Sequence, residues 1–126
     1  MKLLLDTCGL IWLMTGEQRL PERSLQAIGR GDVFVSAASA WEIAIKYGQG
    51  ALRLSGPPER LVPAARERYG FQSLPIDEAS TLHVGKLPPL HADPFDRMLV
   101  SQAIVHGLTN VTPDPLVTQY PARTRW

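Results

Sequence analysis

A chain of 126 residues with 44% hydrophobic and 20% charged residues has the make-up of one globular core, read as a single domain over residues 1–126 and too short for two. Its 13 basic and 12 acidic residues leave a net charge of +1, which excludes nucleic-acid binding by bulk positive charge; a basic surface has to be local, with Lys46, Arg53, Arg97, Arg123 and Arg125 as its candidates. Cys8 is the single cysteine, which excludes an internal disulfide and suits a reducing cytoplasm.

The opening MKLLLDTCGLIWLM has the outline of a lipoprotein leader, but Asp6 interrupts the apolar run directly after Leu5, so export is not expected. No apolar stretch approaches the roughly 20 residues a membrane span needs, and no membrane partner is expected. Lys2 to Leu5 reads as a short strand buried on both faces, and Gly9 to Met14 as the helix that follows it. Pro21 to Gly31 carries Leu25 and Ile28 at helical spacing and ends on a glycine. Val33 to Val35 is a second strand, and Ser36 is placed to cap a helix running to Tyr47, which Gly48-Gln49-Gly50 ends. Because apolar residues flank Glu42 on both sides, that helix is expected to be largely buried.

Gly56-Pro57-Pro58 leads into a helix to Tyr69, and Gln72 to Ile76 gives a third strand. Asp77 can cap a helix through about Val84, while the two prolines of Leu87 to Ala92 require a loop. Asp93 caps a long helix from Pro94 to His106, with proline at the first helical position, where its missing N–H costs least. Leu108 to Thr112 is a fourth strand, a short turn or helix follows, and Arg123 to Trp126 supplies an edge strand. Strands alternating with helices predict an α/β fold: a three-layer α/β/α sandwich around a parallel sheet of four to five strands.

In such sheets ligands bind beyond the carboxyl ends of the strands, and the carboxylates fall there. Asp6 closes the first strand, Asp114 follows the fourth by a few residues, and Asp93 and Asp96 open a helix. Each has an ordinary structural role available. Asp6 and Asp114 suit a cap or turn, Glu42 can pair with Lys46 four residues on, and Asp93-Pro94-Phe95-Asp96 has the pattern of a capping box. Asp93 is assigned mainly to the cap and Asp96, a turn further in, mainly to a metal. Taken together, four acidic sites on one sheet edge suit a hard divalent cation, which prefers oxygen ligands. Thr112 is placed to offer its hydroxyl to a ligand or to a neighbouring carboxylate.

Other chemistries find less support. His83, His91 and His106 have no spacing that suits a metal site, no glycine-rich phosphate loop follows a strand, and Cys8 and Ser36 lack an evident base. Trp12, Trp41 and Phe95 read as core or interface residues.

The strings Leu3-Leu4-Leu5-Asp6-Thr7, Ser36 to Lys46 with its Ser-Ala-x-Ser-x-Trp-Glu pattern, Leu74 to Asp77, His91-Ala92-Asp93-Pro94-Phe95-Asp96-Arg97 and Gly107 through Asp114 occur in the order found in PIN-domain ribonucleases. The chain resembles that family from end to end, and within it the VapC toxins of type II toxin–antitoxin systems. The resemblance implies an acidic quartet at Asp6, Glu42, Asp96 and Asp114 that holds Mg²⁺ or Mn²⁺ and hydrolyses RNA phosphodiester bonds. Asp93 is an additional acid of this branch. It further implies a cytoplasmic homodimer neutralised by a cognate antitoxin protein, with Arg97, Lys46 and the C-terminal arginines available to the RNA backbone. Cys8 stands where asparagine or histidine is usual, and Asn110 interrupts a strand that is normally more apolar; neither removes a ligand. A PIN-like scaffold that binds RNA or protein without cutting is the alternative. A different metal-dependent phosphohydrolase is the third reading, disfavoured because Cys8 and Gly9, not a second aspartate, follow Asp6.

Overall fold

The computed structural model describes residues 1–17 and 19–126. Among these, five strands and six α-helices follow one another as β1 (Lys2–Leu5), α1 (Thr7–Thr15), α2 (Glu22–Arg30), β2 (Asp32–Ser36), α3 (Ala37–Gly48), α4 (Pro58–Tyr69), β3 (Gln72–Leu74), α5 (Glu78–His83), α6 (Pro94–His106), β4 (Thr109–Val111) and β5 (Thr124–Arg125). The sheet is parallel throughout, in the order β3-β2-β1-β4-β5. Every predicted element is present, with shifted ends. Helix α1 begins at Thr7, directly after the strand, because its first turn closes on Asp6 with a 3.1 Å bond from the Leu10 N–H. β3 stops at Leu74, before Pro75, which has no N–H for a ladder.

Alternation along β1 divides the core between the two sheet faces, since successive strand residues point to opposite sides. Leu3 and Leu5 pack with Leu10, Val33, Val35, Ile43, Val62 and Phe71 on one side. Leu4 packs with Ala38, Leu74, Leu99, Ala103 and Leu108 on the other, beneath α6. A strand apolar at every position is the expected consequence of covering both faces with helices. Gly9 allows α1 to lie this close to the sheet: a Cβ there would come within 2.9 Å of Leu5 Cδ1.

The helices that carry carboxylates are fixed by their own ends. Ser36 caps α3 by accepting from the Ala38 N–H, and Asp93 caps α6 by accepting from the N–H groups of Phe95 (2.8 Å) and Asp96 (3.3 Å). Helix α6 ends at Gly107, whose φ of 67° is one that glycine adopts without strain. Buried polar groups lock α6 in register. Ser36 Oγ donates to Gln102 Oε1 at 2.5 Å, and Gln102 Nε2 donates to the Pro75 carbonyl at 3.0 Å. None of the described helices is long and apolar enough to cross a membrane.

Candidate metal centre

The sheet order reverses at β1: the chain runs outward to β2 and β3, then returns to place β4 on the other side. The crevice beyond the carboxyl ends of β1 and β4 is therefore the topological switch point, where α/β folds hold ligands. A cavity of about 220 Å³ lies there, lined by Asp6, Glu42, Asp93, Asp96 and Asp114 together with Thr7, Cys8 and Lys46. Side chains more than a hundred residues apart in sequence thus share one hollow.

Asp6 enters it as the residue immediately after β1 and is buried. Its Oδ2 accepts from Thr112 Oγ1 at 2.6 Å and from Cys8 Sγ at 3.3 Å. Burial raises the Asp6 pKa above the usual carboxylate range, and the bonds from Thr112 and Cys8 hold it back. The same burial, with Asp6 beside it, pushes the Cys8 thiol well up, so Cys8 serves as a donor and not as a thiolate. Thr112 also takes the Asp114 N–H at 3.1 Å and so joins the ends of β1 and β4 through one hydroxyl. Thr112→Val is expected to cost about 1.5–3 kcal/mol, the range for a hydrogen bond to a charged group, whereas Thr112→Ser should cost far less. Urea unfolding at pH 8 measures both, and equal midpoints for the two variants would refute the role given to the hydroxyl.

Glu42 reaches the cavity from the middle of α3 and is only 5% exposed. Its Oε2 pairs with Lys46 Nζ at 2.7 Å, which raises the Lys46 pKa, while Oε1 has no hydrogen-bond partner among the described residues. A buried carboxylate oxygen left unpaired is costly and is the kind of atom a cation satisfies. The rest of α3 departs from expectation. Trp41 (58% exposed), Ala44 and Ile45 face outward, so the helix is half-buried, and only the stripe with Ala38, Ser39, Glu42 and Ile43 turns inward. Trp41 lies edge-on against Phe95 at 4.9 Å, as a surface residue and not a core one.

Asp96 projects from the first turn of α6. Burial first, and then the charges of Asp6 and Asp93, lift its pKa to about 7 against the opposing pull of His91. The capping box expected at this helix start forms by half. Asp93 caps as described, but its own N–H goes to His91 Nδ1 at 3.1 Å and not to Asp96. Asp96 is thereby left to the cavity.

His91 is the residue that sequence reasoning missed. Its Nε2 lies 3.0 Å from Asp96 Oδ2 and 2.9 Å from Asp114 Oδ2, and the ligand atoms of the three lie within 4.8 Å of one another. Spacing among the histidines could not reveal this, because the partners of His91 are aspartates on α6 and beyond β4. The one available signal was its place two residues ahead of the Asp93 cap.

The basic candidates separate. Lys46 lines the cavity. Arg97 is spent on structure: it donates to the carbonyls of Val84 and Pro88 and to Tyr120 Oη, which leaves little of its fork for a phosphate. The Arg125 guanidinium lies against Met1 Sδ, at the end of the sheet opposite Asp6. Arg53 and Arg123 are exposed and line none of the acidic cavity.

The sequence matches the PIN domain family over residues 3–121. Ribonuclease VapC16 of Mycobacterium tuberculosis is 44% identical over 54 residues, which are 43% of this chain and 38% of that relative's length. The match thus spans well under half of the curated relative. Among solved structures, VapBC2 from Rickettsia felis bound to a promoter DNA fragment superposes with a TM-score of 0.73 at 15% identity, covering 99% of this chain and 98% of that one. DNA-bound VapBC from Salmonella typhimurium gives 0.67 at 22%, covering 99% and 97%, and FitAcB from Neisseria gonorrhoeae 0.61 at 20%, covering 97% and 95%. At these identities the likeness is one of fold.

Proposed function

Because this chain belongs to the PIN domain family, we propose that it is a Mg²⁺- or Mn²⁺-dependent endoribonuclease acting as the toxin of a type II toxin–antitoxin pair. The observation that carries the reading is the convergence of Asp6, Glu42, Asp96 and Asp114 on one cavity, where Glu42 Oε1 lacks a partner among the described residues and burial, with the neighbouring carboxylates, raises the Asp96 pKa to about 7. Such a donor set, all oxygen and rich in negative charge, fits a hard divalent cation.

Asp6, Asp96 and Asp114 would hold the cation, with Glu42 completing the set directly or through a water. A bound divalent ion supplies charge neutralisation at the scissile phosphate and a more acidic water for in-line attack. The protein's own part is positioning. Thr112 orients Asp6, the Asp93 cap aims the first turn of α6, and the Lys46–Glu42 pair sets the far wall. Lys46 Nζ is also the cation at this cavity best placed to meet an RNA phosphate. The protein partners in this reading are a second copy of the chain and a cognate antitoxin. Trp41 and Phe95 give apolar surface beside the cavity for such a partner, and an antitoxin arginine reaching the carboxylates would exclude the cation. The cytoplasm is the compartment this pairing requires.

The deciding experiment incubates purified, antitoxin-free protein with structured RNAs and Mg²⁺ or Mn²⁺. Cleavage should appear with either ion, stop with a chelator, and be lost in Asp6→Asn. Cleavage that persists after chelation would sink the metal mechanism. A folded, cation-bound protein that cuts no RNA would instead favour a binding scaffold.

A further inference from the structure

We infer that His91 is a positioning residue for the cation site, orienting Asp114 through its Nε2–H and seating against Asp96 without itself becoming a ligand. The inference rests on the metal-dependent reading above and specifies how two of its carboxylates are aimed.

The ring's proton can be located from its partners. Nδ1 lies 3.1 Å from the backbone N–H of Asp93, a group that can only donate, so Nδ1 carries a lone pair. The proton is then on Nε2, which donates to Asp114 Oδ2 at 2.9 Å and lies 3.0 Å from Asp96 Oδ2. The Asp93 N–H thus fixes the ring from its Nδ1 side. This arrangement also denies a cation the Nε2 lone pair, even though His91 lies within ligand range of both aspartates.

The scaffold around His91 holds it for this task. Its backbone N–H donates to Tyr120 Oη at 2.9 Å. Arg97 donates to the same Tyr120 oxygen at 3.3 Å and to the Pro88 carbonyl at 3.1 Å, which braces the loop on both sides of the histidine. The Arg97 fork therefore reaches the site through His91 and not through substrate. On the other side, Asp114 Oδ1 takes the Leu116 N–H at 2.9 Å, so both of its oxygens are oriented. Asp114 Oδ2 retains a second lone pair after accepting from Nε2, and both aspartates line the cavity. Without the imidazole between them, two neighbouring carboxylates repel and turn apart. Hydrogen-bond partners of ligating groups usually contribute about 10–100-fold to metal affinity.

The test is Mn²⁺ affinity, followed by electron paramagnetic resonance, for the full chain and its His91→Ala, His91→Gln and Asp96→Asn variants. The expected result is affinity about 10–100-fold weaker for His91→Ala, with recovery in His91→Gln, whose amide can donate from the Nε2 position. Circular dichroism checks that each variant is folded. Equal affinity in wild type and His91→Ala overturns the positioning role. No binding by wild type, with Asp96→Asn indistinguishable from it, overturns the metal reading beneath it. A second measurement needs no variant: ¹⁵N spectra of the histidines should show the Nε2–H tautomer for His91 before and after Mg²⁺ addition. A switch to Nδ1–H on Mg²⁺ addition would make His91 a ligand and refute the proposal.

Discussion

Asp96→Asn is expected to stabilise the cation-free protein at pH 8 while removing the cation-dependent RNA cleavage proposed above. Asp96 has a folded pKa of about 7 against 3.8 in the unfolded chain, because burial and the charges of Asp6, Asp93 and Glu42 disfavour its ionised form. Between those two values the folded state binds more protons than the unfolded one, so stability falls as pH rises. The stabilisation is complete below about pH 4 and is lost as pH passes about 7. Asparagine keeps an acceptor for His91 and removes the charge. It should gain on the order of 2 kcal/mol at pH 8, since solvent access and sharing of the ionisation among neighbouring carboxylates make the gain less than the full shift implies. That amounts to several degrees in melting temperature. In the metal-dependent reading proposed above, the same substitution removes a ligand charge and should lower RNA cleavage by at least about 100-fold, as losses of electrostatic stabilisation at reacting centres do. Thermal melts of both proteins between pH 4 and pH 8 in chelator, beside a cleavage assay, test the pair. Parallel melting curves for the two proteins across that range would show that Asp96 is not the strained carboxylate.

Leu4→Ala should produce the largest loss of stability. Leu4 is fully buried on the central strand, facing α6 in the cluster with Ala38, Leu74, Leu99, Ala103 and Leu108. Its neighbours are anchored: Ala38 by the Ser36 cap, and Leu99 and Ala103 by the Gln102 bonds that hold α6. A site that cannot collapse pays for both the lost transfer energy and the residual cavity, about 2–5 kcal/mol. Against a typical total of roughly 5–15 kcal/mol, such a loss threatens the fold itself. Leu82, which is 70% exposed, provides the control; its alanine variant should lie within about 0.5 kcal/mol of wild type. Urea midpoints decide, and a Leu4→Ala loss below about 1 kcal/mol would mean that α6 settles into the gap.

The elements and the parallel sheet were legible because they depend on local patterns. A continuous apolar run ending in an acid marks β1, and Asp93-Pro94 marks the start of α6. The convergence of Asp6, Glu42, Asp96 and Asp114 was legible for a related reason, since each sits at an element boundary or on an inward stripe whose place follows from the sheet. Strand order was not, because nothing in β4 itself states that it returns to lie beside β1. The orientation of α3 was obscured by a helix apolar nearly all round, whose side chains do not reveal which face meets protein and which meets water. His91 and Arg97 stayed hidden because what they do depends on a loop, and a proline-rich loop has no period from which its path can be read.

The position of β1 has a consequence for the order in which activity can arise during synthesis. The first strand made is the middle of the sheet, and its neighbour on the site side, β4, is nearly the last. A nascent chain that has emerged only through α6 already carries Asp6, Glu42 and Asp96, yet Thr112 and Asp114 are missing and Asp6 has no β4 beside it. The acids are then present without a site. Most of this chain can therefore be made before the acidic cavity exists, and the cavity closes only when β4 and the residues just beyond it are in place.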